Sequence, residues 1–120
     1  MKGVIRMENC LFCKIAAGEI PSTKVYEDEQ VLAFRDIAPQ APVHVLVIPK
    51  KHVSGWYDAK DESDAALAHM MRAAATVAKM ENIVESGFRV VSNCGADAQQ
   101  SVHHLHLHVL GGRAMSGEMA

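Results

Sequence analysis

Short apolar runs separated by polar turns predict most of the strands of this chain. Residues 25–27 and 31–35 flank a turn of acidic and amide residues, so these two runs are typical of a hairpin. Residues 43–49 form the strongest strand pattern in the first half, and residues 88–93 follow a turn marked by Gly87. Each run is too short for an ordinary helix, which favours strands.

A helical repeat of apolar residues predicts one long helix, which Asp61 or Ser63 can cap and which continues to about Lys79. The residues that recur at helical spacing are Leu67, Met70, Met71, Ala74, Val77 and Ala78. The chain before Gly18 has room for only a short helix. Together with a last strand within 104–109, these elements predict an α+β domain. Its mostly antiparallel five-stranded sheet is accompanied by one long helix and a short N-terminal helix.

The length of 120 residues is enough for one hydrophobic core but not for two. We expect a single domain over residues 10–115, a flexible N-terminus over residues 1–9 and a short C-terminal tail over residues 116–120. The net charge of −2 and the absence of a basic stripe argue against binding of nucleic acid. No apolar run approaches the ~20 residues of a membrane span, and no signal peptide is recognisable. These features predict a cytoplasmic protein without membrane contacts.

Four of the seven histidines fall within six residues near the C-terminus. His104, His106 and His108 alternate with apolar residues, so a strand would place the three imidazoles on one face. Two hypotheses compete for this row. It could bind a metal, with Asp36 or Asp97 as a further ligand, or one imidazole could act as a nucleophile while its neighbours orient it and bind an anion.

Two further groups of residues carry candidate chemistry. His44 lies in an otherwise apolar strand, where an imidazole is costly to bury without a hydrogen-bond partner. Cys10 and Cys13 form a C-x-x-C pair, which is typical of zinc or redox sites in the cytosol. The short helix after the pair favours zinc over a thioredoxin-like redox pair, and plain thiols remain an alternative.

The histidine row, His104-Leu-His-Leu-His-Val-Leu110, resembles the signature of the histidine triad family. Other segments resemble the Hint branch of that family, namely Phe12-Cys-Lys-Ile15, Ala33-Phe-Arg-Asp-Ile37, Ile48-Pro-Lys-Lys-His52, Gln100-Ser-Val102 and Leu110-Gly-Gly-Arg113. The resemblance implies a homodimeric hydrolase of purine nucleoside 5′-phosphoramidates, such as adenosine 5′-monophosphoramidate, that needs no cofactor for catalysis. The related Fhit branch, which hydrolyses dinucleoside polyphosphates, and a nucleotide-binding protein with little turnover are the alternatives.

The resemblance also implies a role for individual residues. His106 would be the nucleophile that becomes transiently nucleotidylated, His108 would contact the phosphate, and His104 and His44 would orient His106 or relay protons. Asp36 and Ile37 would meet the ribose and base. The residues implied at the α-phosphate or leaving group are Asn93, Gln100 and Ser101. The residues implied as walls of the purine pocket are Phe12, Ile15, Ile20 and Phe34.

Some histidine triad proteins hold a structural zinc ion, and the resemblance transfers its ligands to Cys10, Cys13, His52 and His104. In that case His104 would be a ligand rather than a proton relay. The chain departs from the usual Hint pattern at Gln99, where glycine is common, and at His103, where an aromatic residue is common. Its short tail leaves the preference for a leaving group undetermined.

Overall fold

The computed structural model describes residues 7–120, so most of the expected flexible N-terminus lies outside the described residues. The chain forms helix α1 (Leu11–Ala16), strands β1 (Lys24–Glu27), β2 (Val31–Arg35) and β3 (Val43–Pro49), a 3₁₀ turn (Tyr57–Asp61), helix α2 (Asp64–Met80), and strands β4 (Phe88–Val91) and β5 (Leu107–Gly111). The strands form one sheet in the order β1-β2-β3-β5-β4, and every neighbouring pair is antiparallel. The α+β prediction is confirmed.

The sheet is covered on both faces because its central strands alternate between two apolar clusters. On β2 and β3, Val31, Ala33, Val45 and Val47 pack with α2. The residues between them, which are Leu32, Phe34, Leu46 and Ile48, pack with α1. Strands buried on both faces carry near-continuous apolar runs, which explains the strength of the pattern over residues 43–49.

Helix α2 begins later than one of the two predicted caps allows. Ser63 is the N-cap, and its side chain accepts a hydrogen bond from the backbone N–H of Ala66 at 3.0 Å. Asp61 instead ends the preceding 3₁₀ turn. Across residues 7–120, no helix combines the length and the apolar character that crossing a bilayer requires.

The last strand begins at Leu107, so the expectation that all three histidines lie on a strand is wrong for His104 and His106. The pairing of β3 with β5 extends only to Val47 opposite Leu107. Beyond that pair, individual hydrogen bonds replace the ladder, including one from the N–H of Leu105 to the carbonyl of Val53 at 2.6 Å. The alternation of faces nevertheless persists, because Leu105 and Leu107 still enter the α2 side of the core.

Candidate active site

His106 is held in a single tautomer by the backbone carbonyl of His104. Its ring is 4% exposed, and Nδ1 lies 2.6 Å from the carbonyl oxygen of His104. Because a carbonyl oxygen only accepts, Nδ1 carries the proton and Nε2 of the neutral ring keeps its lone pair. Phe12 packs edge-on against the ring at 5.1 Å between centroids. The structure therefore holds an unprotonated imidazole nitrogen in a rigid apolar setting.

His108 and His44 form a hydrogen-bonded pair beside His106. The backbone N–H of Gln40 donates to Nδ1 of His44 at 3.0 Å, so the proton of a neutral His44 lies on Nε2. That Nε2–H donates to Nδ1 of His108 at 2.9 Å. Oδ2 of Asp36 lies 3.4 Å from Nε2 of His44. His108 consequently carries its own proton on Nε2, where it can serve as a donor.

Burial keeps both members of this pair neutral near pH 7. The pKa of His108 is lowered to about 4. Burial is the largest cause, and the neighbouring His106 and His44 are smaller causes in the same direction. Burial also lowers the pKa of His44, although the Asp36 carboxylate opposes this change. Desolvation disfavours the charged form of an imidazole, so the chain of donors and acceptors described above applies over the neutral pH range.

A cavity of about 290 Å³ opens in front of the His106 and His108 rings. His106 and His108 contribute to its wall, and Ile37, whose side chain is fully exposed, lies at its edge. Seven residues predicted to contact substrate also line it, namely Phe12, Ile15, Ile20, Phe34, Asp36, Ile37 and Ser101. The structure thus brings the predicted apolar residues and the nucleophile candidate together in one pocket.

Asn93 and Gln100 do not line this cavity. Their side chains bind backbone groups of their own loop, and Gln100 also binds the segment that contains Ser54. Asn93 donates to the carbonyl of Ala98 at 2.6 Å. Gln100 donates to the carbonyls of Ser54 and Val102 at 2.6 and 3.1 Å and accepts from the N–H of Gly95 at 2.9 Å. Their contact with a phosphate stays a prediction, and the hydrogen bonds give both residues a role in shaping the loop.

Gln99, in the same loop, adopts a backbone conformation that favours glycine. Its φ angle is +64°, in the left-handed region that side chains with a Cβ rarely occupy. Glycine, which is common here in the Hint pattern, would adopt this conformation without steric cost. Gln99 adopts the turn conformation regardless and therefore carries local strain.

His104 faces away from the cavity, toward the two cysteines of the C-x-x-C pair. Its Nε2–H donates to the carbonyl of Pro49 at 2.8 Å, so the lone pair of the neutral ring is on Nδ1. Nδ1 lies 3.3 Å from Sγ of Cys10 and 3.6 Å from Sγ of Cys13, which is itself 3.3 Å from Nδ1 of His52. The ligand atoms of these four residues all lie within 4.8 Å of one another.

The chemistry of these four residues fits a tetrahedral zinc ion. Two sulfurs and two imidazole nitrogens form a complete ligand set for a structural site. Burial lowers the pKa of His104 to about 4 and also lowers the pKa of His52, which keeps both rings in the neutral form that binds metal. We call these four residues the Cys₂His₂ cluster.

The three alternating histidines do not converge on one metal ion. The lone pair of His104 faces the Cys₂His₂ cluster, Nδ1 of His108 accepts from His44, and His106 contributes to the wall of the cavity. These hydrogen bonds favour the nucleophile hypothesis for the row, and of the three histidines only His104 belongs to the Cys₂His₂ cluster. The ligand atoms of Asp36, His44 and His108 also lie within 4.8 Å of one another, but the facing nitrogens of the two rings are already joined by a hydrogen bond.

Two residues near His106 were missed by the sequence analysis. The hydroxyl of Ser92 donates to the carbonyl of His106 at 3.0 Å, and the indole N–H of Trp56 donates to Ser92. Nothing in the local pattern marks Trp56, which lies 50 positions before His106 by the numbering of the chain. Ser92 could have been noticed as a hydroxyl at the end of a predicted strand.

The fold and the histidine set define a family. Residues 17–115 match the HIT domain family. A HIT family hydrolase from Legionella pneumophila Philadelphia 1 superimposes with a TM-score of 0.88 at 51% identity, covering 91% of this chain and 97% of that one. The chain belongs to the HIT domain family and has the fold of a HIT family hydrolase.

Two curated relatives are similar over most of their length. The purine nucleoside phosphoramidase of Escherichia coli K12 is 43% identical over 113 residues, covering 94% of this chain and 95% of the relative. The 14 kDa zinc-binding protein of Zea mays is 51% identical over 108 residues, covering 88% of this chain and 84% of the relative.

Proposed function

We propose that this protein is a nucleotide hydrolase that cleaves the P–N bond of purine nucleoside 5′-phosphoramidates through a nucleotidyl-His106 intermediate. The observation that carries the proposal is the hydrogen bond from Nδ1–H of His106 to the carbonyl of His104, which leaves Nε2 as a nucleophile. Similarity to the purine nucleoside phosphoramidase of E. coli supports the substrate class.

The cavity suits a purine nucleotide in size and in chemistry. Its volume of about 290 Å³ lies just below the range typical of small-molecule sites, roughly 300–1,000 Å³. Phe12 and Phe34 meet edge to face at 5.5 Å and provide an aromatic wall for a base. The Asp36 carboxylate at the same cavity is a hydrogen-bond acceptor for ribose hydroxyls. The α-phosphate would then lie near His106 and His108.

The reaction proceeds in two displacements at phosphorus. Nε2 of His106 attacks, a P–N(His) bond forms, and the substrate P–N bond breaks, with its electron pair and a proton from water going to the departing amine. Water then attacks the nucleotidyl-histidine, His106 leaves as the neutral imidazole, and the proton of the attacking water returns to solvent. The Nε2–H of His108 donates to the phosphoryl oxygens, where charge accumulates.

We expect purified protein to hydrolyse adenosine 5′-monophosphoramidate and to accumulate a base-stable, acid-labile nucleotidyl group on rapid quenching. Mass spectrometry under alkaline conditions should detect this group on the wild type and not on His106→Asn. Faster turnover of a dinucleoside polyphosphate would identify the alternative Fhit-like activity. Tight nucleotide binding without any turnover would identify a binding protein.

We also propose that the Cys₂His₂ cluster holds a structural zinc ion. The similarity to a zinc-binding protein of Zea mays and the burial of three of the four ligands support it. The ion would stabilise the contact between α1, which follows Cys10, and the segment around His104. Metal analysis of wild type and Cys10→Ser tests this proposal. Wild type that contains no zinc after expression in a zinc-supplemented medium would contradict it.

The homodimer implied by the family resemblance stays a prediction, which sedimentation of the purified protein can test.

A further inference from the structure

Ser92 links the end of β4 to the backbone of His106. Strand β4 ends at Val91, whose partner on β5 is His108. Ser92 is the next residue of the chain, and its hydroxyl donates to the carbonyl of His106, which precedes the first residue of β5, at 3.0 Å.

Trp56 determines the direction in which this hydroxyl donates. Its indole Nε1–H donates to Oγ of Ser92, so Oγ accepts there and its one proton is directed at the carbonyl of His106. Trp56 lies just before the 3₁₀ turn and packs against the α2 side of the core. The hydroxyl is therefore oriented by a large, packed side chain from a different part of the chain.

The backbone on either side of the His106 ring is thus bound to two separate elements. The N–H of Leu105 donates to the carbonyl of Val53, and the carbonyl of His106 accepts from Ser92. The hydrogen bond from the His106 ring to the carbonyl of His104 is local and moves with the segment. Nothing in that local contact fixes the position of the ring relative to the cavity.

We propose that Ser92, oriented by Trp56, is a positioning residue that places Nε2 of His106 for attack on phosphorus. This inference rests on the proposed function. Ser92 does not line the cavity, so it acts through the backbone of His106 and not on substrate. A displacement of the nucleophile by about 1 Å is enough to cost up to 10²-fold in rate.

The first test is steady-state hydrolysis of adenosine 5′-monophosphoramidate by Ser92→Ala. We expect kcat to fall roughly tenfold while KM changes less than about twofold, because an intact cavity still binds substrate. Ser92→Thr retains the hydroxyl and should recover most of the lost kcat. Ser54→Ala removes another serine hydroxyl, which bonds the exposed Asp58, and should leave kcat unchanged.

A double-mutant cycle separates orientation by Trp56 from its packing. Trp56→Phe should lower kcat in the wild type and should have no further effect on kcat in the Ser92→Ala background, because its contribution passes through the hydroxyl. Additive effects on kcat would overturn the role assigned to Trp56. An unchanged kcat in Ser92→Ala, or a loss confined to KM, would overturn the inference while leaving the proposed function intact.

A spectroscopic test does not depend on turnover. Long-range ¹H–¹⁵N spectra should show His106 as the Nδ1–H tautomer in both the wild type and Ser92→Ala, because the bond to the His104 carbonyl moves with the segment, whereas the ring signals of His106 should shift or broaden in the variant. The indole signal of Trp56, the one tryptophan in the chain, should shift in the same variant. If the wild type fails to hydrolyse phosphoramidates, the proposed function is refuted, and unchanged His106 ring signals in Ser92→Ala would still overturn the positioning role.

Discussion

His104 and His106 lie two residues apart and face the same side of the domain, but their rings donate to different carbonyls through different nitrogens. His104 is fully buried, and its Nε2–H donates to Pro49, so its lone pair faces two sulfurs. His106 uses Nδ1–H to donate to the carbonyl of His104, so its lone pair is on Nε2. The difference shows that the carbonyl bound by each ring, more than its place in the motif, determines which nitrogen keeps a lone pair.

The region around His104 and the region around His106 also differ in whether they leave room for a substrate. Around His104, four side chains surround a common point and leave no open position for substrate. Around His106 and His108, the rings border a cavity that also contains a carboxylate and apolar walls. Phe12 packs against both histidines, at 5.9 Å from His104 and 5.1 Å from His106, and separates the two regions.

The largest expected effect is on catalysis at His106. His106→Asn should lower kcat for adenosine 5′-monophosphoramidate by at least about 10³-fold, since removal of a nucleophile leaves only binding and electrostatic contributions. Its zinc content should match the wild type. His103→Asn, an exchange at an exposed histidine of the same segment, is the control. Residual activity in His106→Asn within tenfold of the wild type would contradict the assignment.

At His104 we expect the reverse, because a substitution there should change the free energy of unfolding more than the rate of hydrolysis. His104→Asn removes one ligand of the proposed zinc site and the donor to Pro49, and we expect it to lower the free energy of unfolding by about 2–3 kcal/mol. Denaturant titrations with and without a chelator measure this. The chelator should destabilise the wild type and have little effect on the variant. Equal sensitivity of both proteins to the chelator would show that the cluster binds no structural metal.

A third effect should appear as a dependence of stability on pH. The pKa of His108 is about 4 in the fold and close to 6.5 in an unfolded chain, so between these values the unfolded state binds more protons. The free energy of unfolding should therefore fall as pH decreases from about 6.5 to 4. Above that range, the titration of His108 should cause no loss of stability.

His108→Gln tests this effect, because it removes one titrating ring while keeping a polar side chain. Its stability should fall less steeply over the same pH interval, as measured by urea titrations at several pH values. The Cys₂His₂ cluster contributes equally to both proteins, so the difference between the slopes reports His108. Parallel slopes would refute a partly buried His108 that stays neutral.

The smallest effect is expected at the residue that separates the two regions. Phe12→Leu keeps an apolar side chain but loses both edge contacts to the histidines, and we expect a destabilisation of about 1 kcal/mol. KM should rise a few-fold while zinc content is retained. Leu11→Ala, at an exposed neighbour on α1 that also borders the cavity, serves as the comparison for loss of apolar area alone. A larger loss of kcat than of affinity would instead make Phe12 a positioning residue for His106.

Much of the fold was predictable because its elements have clear local signals. The apolar run of β3 and the Ser63 cap of α2 mark their own boundaries, and the alternation of β5 assigns His108 and Val109 to opposite faces. The start of β5 was not predictable. It depends on where β3 and β4 cease to offer backbone partners, which is a property of the register between distant segments.

The sequence by itself determined the class of domain and the row of histidines, because periodicity and residue type encode these features directly. The residues that line the pocket were implied by the resemblance to the histidine triad family. Only the tertiary structure decided which nitrogen of His104 and of His108 is available, because the acceptor at Pro49 and the donors at Gln40 and His44 come from other segments. A hydrogen bond depends on position and direction in space, and these become defined when the segments pack together.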